Sequence, residues 1–198
     1  MDDRPDEKAL SAAADFSILD SSGNRVNFGD IYKEKKTIVV FIRHFFCGSC
    51  MAYVSQLASV RQDALQSAET QLVVIGCGDF QPIEGYAETS GFQGPIYADP
   101  GNVLFRHFNL TSTLARTPAG EQKKSYLAGR SHLWNVLGSI GRILRNLHLL
   151  GKQGAWSQLG GEFILGPGNQ CLFASRMKHT EDHVELSELM NQAGVEYP

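Results

Sequence analysis

The sequence predicts an α/β protein with a central mixed β-sheet and helices on its faces. Residues 37–42 and 72–76 are continuous apolar runs without polar alternation, which is typical of strands buried on both faces. Between them, residues 49–68 carry apolar side chains at three- and four-residue steps, which is typical of a helix. A strand, a helix and a second strand in this order indicate a parallel βαβ unit.

The other predicted elements lie on both sides of this unit and are marked by turn or capping residues. They are a hairpin over 16–19 and 25–28, a helix from Pro82 to about Ser90, a strand over 95–98, a hairpin over 162–165 and 170–173, and a helix that opens at the N-cap Thr180 and ends at Gly194. A parallel unit followed by an antiparallel hairpin and a helix is the thioredoxin-like layout, so we expect that fold.

Length and charge restrict the organisation and the function. The 198 residues fit one domain, which we assign to 13–198 after a disordered tail over 1–12. With 18 Lys and Arg against 21 Asp and Glu, the net charge of −3 argues against a nucleic-acid partner. The polar, acidic start is not typical of a secretory signal, and no apolar run is long enough to span a bilayer. We therefore expect a reducing, cytoplasmic location.

An insertion over 116–152 separates the two halves of the domain and is strongly basic. Its charged residues are seven basic ones and one acid, namely Arg116, Lys123, Lys124, Arg130, Arg142, Arg145, Lys152 and Glu121. Within it, residues 131–150 carry apolar side chains at helical spacing, which predicts a basic amphipathic helix. Such a helix is a lid over the sheet edge, a homodimer interface or a membrane-surface contact, and the sequence leaves these three interpretations open.

The chemistry is predicted at Cys47-Gly48-Ser49-Cys50, between the first buried strand and the following helix. Free backbone N–H groups at a helix N-terminus stabilise an anion, so a thiol there ionises more easily. The spacing also allows Cys47 and Cys50 to close a small disulfide ring. The main alternative is a zinc site, which needs two further ligands. Cys77 and Cys171 are not spaced as a second such pair.

A resemblance to a known family rests on residues 43–50, on Tyr53 and Val54, and on the stretches 72–79 and 160–168. These resemble the peroxiredoxin-like 2 group of the AhpC/TSA superfamily, to which selenoprotein U belongs. The resemblance spans about residues 16–193, although 111–155 carry no motif that matches. It implies a thioredoxin-like fold and a thiol-dependent reduction of peroxides or related oxidised substrates.

The sequence also departs from the parent patterns. Peroxiredoxins carry P-x-x-x-T-x-x-C, and here Arg43 and Cys47 stand where the proline and the threonine would be. The place of the thioredoxin cis-proline is held by residues 158–161, without a proline. By similarity to thioredoxins Cys47 attacks, whereas by similarity to peroxiredoxins Cys50 does. Selenoproteins of the group place selenocysteine at the position of Cys47, which favours Cys47 as the nucleophile.

The catalytic residues that we predict are Cys47, Cys50 and Arg43. Arg43 is expected to stabilise a thiolate or a peroxide oxygen, the alternative being a cap on the strand end. His44 points to the opposite face and is expected to be structural, while Cys77 ends the second strand at the same sheet edge.

We predict a thiol oxidoreductase without a metal or other cofactor. It would take a small-molecule peroxide, endoperoxide or disulfide as substrate and thioredoxin or glutathione as reductant, with a homodimer possible. The alternatives are an enzyme of specialised metabolism that acts on one small molecule, and a non-catalytic interaction module.

Overall fold

The structure is a computed structural model, which describes residues 4–127 and 149–197. Its strands are β1 (Ser17–Leu19), β2 (Arg25–Asn27), β3 (Lys36–Ile42), β4 (Thr70–Gly76), β5 (Ile96–Ala98), β6 (Gly161–Leu165) and β7 (Cys171–Arg176). The helices in the described ranges are α1 (Glu7–Ala14), α2 (Gly29–Tyr32), α3 (Gly48–Leu57), α4 (Gln62–Ser67), α5 (Ile83–Ser90), α6 (Val103–His107) and α7 (Leu186–Ala193), with a 3₁₀ turn over Ser125–Leu127.

The strands form one sheet in the order β2-β1-β5-β4-β3-β6-β7. β3 lies near its centre, parallel to β4 with Val39 opposite Val73, and antiparallel to β6 with Val40 opposite Glu162. β4 and β5 are also parallel, whereas the two terminal hairpins are antiparallel. The predicted α/β class with a central mixed sheet and a thioredoxin-like layout is confirmed.

The central strands explain the apolar runs in the sequence, because both of their faces are covered. Ile38 and Ile42 of β3 belong to the core layer that contains α3, α5 and α7. Val39 and Phe41 belong to the opposite layer, which contains α1, α2 and α6. Since successive side chains of a strand point to opposite faces, a strand between two helical layers needs apolar residues at every position.

Most predicted elements are observed, but two helices differ from the expectation. The helix predicted over 49–68 is two helices, α3 and α4, separated at Arg61, whose backbone is extended. The last helix ends at Gly194 in a left-handed conformation, as predicted, but it begins at Leu186 and not at Thr180. Thr180 lies outside the helix, where its N–H donates to Ala115 O and its carbonyl oxygen lies 3.1 Å from the Ser49 hydroxyl.

The prediction of a disordered tail over 1–12 is wrong from Glu7 onward, because these residues begin helix α1. Asp6 caps the helix, with its carboxylate accepting from the N–H of Ala9 at 2.7 Å. Leu10 is fully buried, and its carbonyl accepts a hydrogen bond from the Tyr32 hydroxyl at 3.0 Å. The domain therefore includes α1.

The basic amphipathic helix predicted over 131–150 lies outside the described residues, except for 149 and 150. Its three possible roles stay predictions. In the parts of the chain that the structure describes, no helix is both long and apolar enough to cross a membrane.

Candidate active site

The predicted cysteine pair lies where β3 passes into α3. Cys47 is the N-cap of α3, with extended backbone angles, and its Sγ accepts a hydrogen bond from the backbone N–H of Cys50 at 3.3 Å. A sulfur in this position takes the place of the oxygen with which a serine or aspartate caps a helix. The cap therefore places Sγ of Cys47 against the positive end of the helix.

Both thiols are free and buried, with 4% of Cys47 and none of Cys50 exposed. The two are therefore not equivalent as targets for a substrate. Cys47 has the small exposed fraction of the pair, and both residues belong to the core layer that contains α3. This exposed fraction favours Cys47 over Cys50 as the point that an oxidised substrate approaches.

Arg43 donates from Nη1 to Sγ of Cys47 at 3.4 Å, so the structure brings the three predicted catalytic residues together. The rest of its guanidinium is bound by backbone carbonyls: Nε donates to Gln158 O at 3.1 Å and Nη2 to Trp156 O at 2.7 Å. The side chain is itself buried. A buried cation fixed by two carbonyls is a preorganised donor to the sulfur.

The environment drives the pKa values of the two thiols apart. Burial alone would raise the pKa of Cys47, but a hydrogen bond from Cys50, the charges of His44 and Arg43 and a hydrogen bond with Ser49 hold this pKa well below its usual value. Burial raises the pKa of Cys50 well above its usual value, as do its hydrogen bond to Cys47 and the negative charge there. Cys47 is thus the thiolate of the pair and Cys50 the thiol.

Ser49 is a site residue that the sequence reasoning missed. Its Oγ lies 3.2 Å from Sγ of Cys47 and 3.1 Å from the carbonyl oxygen of Thr180, within hydrogen-bond distance of both. A hydroxyl has one proton, so Ser49 donates either to Thr180 or to a Cys47 thiolate. Its place in the first turn of the helix, two residues after Cys47, is a signal that could have identified it.

His44 was expected to be structural, and its ring does pack edge-on against Trp156 at 4.7 Å between centroids. The structure adds an electrostatic effect, since the charge of His44 lowers the pKa of Cys47. Trp156 is 44% exposed, so it forms an apolar surface beside the buried Arg43 and His44.

The remaining cysteines do not share this environment. Cys77, at the end of β4, donates from Sγ to the carbonyl of Arg43 at 2.8 Å, and burial raises the pKa of its thiol to about 12. Cys171 lies in β7 and donates to the carbonyl of Phe173 at 3.2 Å. Neither thiol is positioned as an anion.

Glu162 and His183 form a second buried polar group that the sequence did not reveal. Neither is exposed, and Oε1 of Glu162 lies 2.5 Å from Nδ1 of His183. The His183 ring stacks on the ring of Tyr53, which lies one turn after Cys50 on α3, with centroids 4.3 Å apart. A glutamate in an otherwise apolar strand was the available signal.

Within the described ranges, one group of side chains has the composition of a metal site: His179, Glu121 and Asp182, whose ligand atoms lie within 4.8 Å of one another. However, Nδ1 of His179 accepts from the N–H of Glu181 at 3.3 Å, so the neutral ring carries its proton on Nε2, which faces the carboxylates. Lys124 lies 3.8 Å from Asp182 and supplies a cation. With its proton on Nε2, the His179 ring has no lone pair facing the carboxylates with which to bind a metal.

The zinc alternative for the cysteine pair is also disfavoured by chemistry. The side chains that hydrogen-bond to Cys47 are a guanidinium, from Arg43, and a hydroxyl, from Ser49. A guanidinium brings positive charge to the position that a zinc ion would occupy, and it is not a ligand.

Comparisons with known proteins show the family to which the chain belongs. The family model described as "AhpC/TSA antioxidant enzyme" matches residues 56–179. Peroxiredoxin-like 2C of Mus musculus is 32% identical over 190 residues, which are 94% of this chain and 80% of that protein. The chain belongs to the peroxiredoxin-like 2 group of the AhpC/TSA family. More distantly, the prostamide/prostaglandin F synthase of Xenopus tropicalis is 23% identical over 88% of this chain and 82% of its own.

Solved structures show the same fold at low sequence identity. The bacterioferritin comigratory protein of Xanthomonas campestris superposes with a TM-score of 0.60 at 12% identity, over 96% of this chain and 92% of that one. This likeness shows the fold, whereas the family model and the relative from Mus musculus confirm the resemblance to the peroxiredoxin-like 2 group. Family and fold together support a thiol-dependent redox function.

Proposed function

We propose that this protein is a thiol oxidoreductase in which Cys47 attacks an oxidised substrate and Cys50 resolves the product. The observation that carries the proposal is the position of Cys47 Sγ, which caps α3 and accepts from Arg43 at 3.4 Å. A thiolate is the attacking species in thiol chemistry, and this position stabilises one.

With a peroxide, the Cys47 thiolate attacks one oxygen, the O–O bond breaks, and an alcohol or water leaves with a proton from solvent. Cys47 is then a sulfenic acid, oxidised by two electrons. Cys50 attacks that sulfur, hydroxide leaves as water with the proton of the Cys50 thiol, and a Cys47–Cys50 disulfide forms. A thioredoxin or glutathione system would return the two electrons and restore both thiols.

A disulfide substrate would follow the same order of events. Cys47 attacks one sulfur and releases a thiol, and Cys50 then breaks the mixed disulfide and releases the second thiol. The shielding of Cys50 supports this order, because a fully buried sulfur cannot meet the substrate first.

The exposed ring of Trp156 favours substrates with an apolar body. The relatives named prostamide/prostaglandin F synthase point in the same direction, toward small lipid substrates. We therefore place lipid hydroperoxides and endoperoxides ahead of hydrogen peroxide.

The test uses the full chain, reduced and then treated with one equivalent of a lipid hydroperoxide. Peptide mapping by mass spectrometry is expected to show one Cys47–Cys50 disulfide for each hydroperoxide consumed. The Cys50→Ser variant is expected to stop at a Cys47 sulfenic acid, which a dimedone probe captures. Cys171→Ser, a thiol outside the site, is the matched control and should behave as the wild type.

Two results would contradict the proposal. If the reduced protein leaves the hydroperoxide unchanged and never forms the disulfide in glutathione buffers, it is a binding module. If Cys50 and not Cys47 is captured by the probe in the corresponding single variants, the roles of the two thiols are reversed.

A further inference from the structure

The guanidinium of Arg43 is aimed at Cys47 by groups outside the cysteine motif. Its Nε and Nη2 donate to the carbonyls of Gln158 and Trp156, which leaves Nη1 directed at the sulfur. The two carbonyls belong to residues 155–160, here called the strap, which precede β6 and form no strand of their own. The aim of Arg43 therefore depends on where the strap lies.

The strap is held by the side chain of Gln158, which is 5% exposed. Its Nε2 donates to three carbonyls, those of Leu110 at 2.9 Å, Thr111 at 3.1 Å and Leu159 at 3.0 Å. An amide nitrogen has two protons, so one of them is shared between two acceptors. A cluster of three carbonyls requires a donor, and neither a carboxylate nor an alkyl side chain supplies one.

Backbone hydrogen bonds continue the attachment on both sides of Gln158. The N–H of Leu159 donates to Thr111 O at 2.9 Å, and the N–H of Thr113 donates to Ser157 O at 2.8 Å. The strap is thereby joined to residues 110–113, while the carbonyl of Gln158 itself accepts from Arg43. One residue thus connects the strap to its support by the side chain and to Arg43 by the main chain.

We propose that Gln158 is a positioning residue for the attacking thiol, because its side chain holds the carbonyls that aim Arg43 at Cys47. This inference rests on the proposed function, in which the Cys47 thiolate attacks. A shift of the strap by a fraction of an ångström lengthens the contact from Nη1 to the sulfur while the fold stays intact. The thiolate then loses part of its stabilisation.

The test is the rate of Cys47 alkylation by iodoacetamide as a function of pH, resolved by peptide mapping. Gln158→Met keeps the length of the side chain and removes its donors. We expect the pKa of Cys47 to rise by about one pH unit, so that about tenfold less thiolate reacts at a pH below both values. Gln153→Met is the matched control: it lies in the same loop, is also buried, and its side chain accepts only from Gly151 N in the described structure. It should leave the profile unchanged.

A double variant separates positioning from a general loss of structure. If Gln158 acts through Arg43, Gln158→Met has no further effect on the Cys47 pKa once Arg43 is replaced by Met. A merely structural role would add its effect to that of Arg43→Met. An unchanged profile in a folded Gln158→Met protein, or full additivity in the double variant, would overturn the proposal.

Gln158→Asn covers the case in which Gln158→Met does not fold. It keeps the amide but is one methylene shorter, so we expect a smaller rise in the Cys47 pKa, and a wild-type profile would again overturn the proposal. Alkylation needs no oxidised substrate. The positioning role can therefore fail while disulfide formation from Cys47 and Cys50 persists, and it can hold in a protein that reduces no peroxide.

Discussion

β3 and β4 are parallel neighbours in the sheet, so their carboxyl ends lie side by side. Each of the two strands is followed by a cysteine. After β3 the chain enters a helix that Cys47 caps, and the pKa of this thiol falls well below its usual value. After β4 it enters a turn, where Cys77 is buried and its pKa rises to about 12. Arg43 touches both, with its guanidinium on Cys47 and its carbonyl on Cys77.

The difference shows that a strand end does not by itself make a reactive thiol. A donor-rich helix terminus and a cation stabilise the anion of Cys47, and they outweigh its burial. Cys77 is the donor in its own hydrogen bond, which favours the neutral form. Burial raises the pKa of both thiols, and only around Cys47 are there enough donors and positive charges to reverse that direction.

The largest effect is expected when Cys47, the reactive thiol of the two, is replaced. Cys47→Ser should lower thiol-dependent hydroperoxide reduction by 100-fold or more, about 3 kcal/mol in the barrier, because the attacking sulfur is lost. Cys77→Ser should change the rate by less than about twofold. Consumption of the reductant under steady-state conditions measures both. Equal losses in the two variants would mean that the two strand ends work together.

The next effect concerns Cys77 and protein stability at alkaline pH. Its folded pKa lies above the unfolded one, so the neutral thiol contributes stability that is complete below the unfolded pKa and is lost as pH rises toward 12. At pH 10.5 the expected loss is about 2 kcal/mol. Urea unfolding at pH 7 and at pH 10.5 should therefore show a smaller drop for Cys77→Ala than for the wild type. Parallel drops would show that the thiol ionises freely.

Arg43→Met should raise the pKa of Cys47 and reduce its alkylation rate by about tenfold, about 1.4 kcal/mol, at a pH below the pKa of both proteins. In the wild type the rate should rise through an inflection below the usual thiol value of about 8.5 and then level off. Arg43→Lys keeps the positive charge but not the three hydrogen bonds of the guanidinium, so its alkylation rate should lie between those of the wild type and Arg43→Met. A variant as reactive as the wild type would assign the shift to the helix cap and His44.

The smallest effect is expected for Ser49→Ala, which removes one hydrogen bond to Cys47. At a pH below the pKa of both proteins the alkylation rate should fall by about threefold, about 0.7 kcal/mol, since a single hydrogen bond contributes about that much. Stopped-flow alkylation of the reduced protein resolves this difference. Ser55→Ala, on the same helix and away from Cys47, is the control. A rise in rate would mean that Ser49 donates to Thr180 and not to the thiolate.

Local patterns in the sequence were sufficient to predict the elements at the centre of the fold. β3, α3 and β4 follow from apolar runs and helical spacing, because every position of a strand between two helical layers is buried. Helix α1 was not predicted because the residues before and at its start are mostly charged, which is typical of a disordered tail. Leu10 and Ala13 are nevertheless spaced so that one face of the helix is buried. The start of α7 escaped because the backbone of Thr180 is bonded to distant residues.

The sequence by itself determined the fold class and the family. It also predicted Cys47, Cys50 and Arg43 as the candidate site, since these three lie within eight consecutive positions. Only the tertiary structure decided how each thiol ionises. The strap meets Arg43 from 115 residues away in the chain, and Thr180 meets Ser49 from 131 residues away. The stability of an anion depends on the distance and direction of every nearby donor and charge, and those donors are brought together only when the sheet and its loops are assembled.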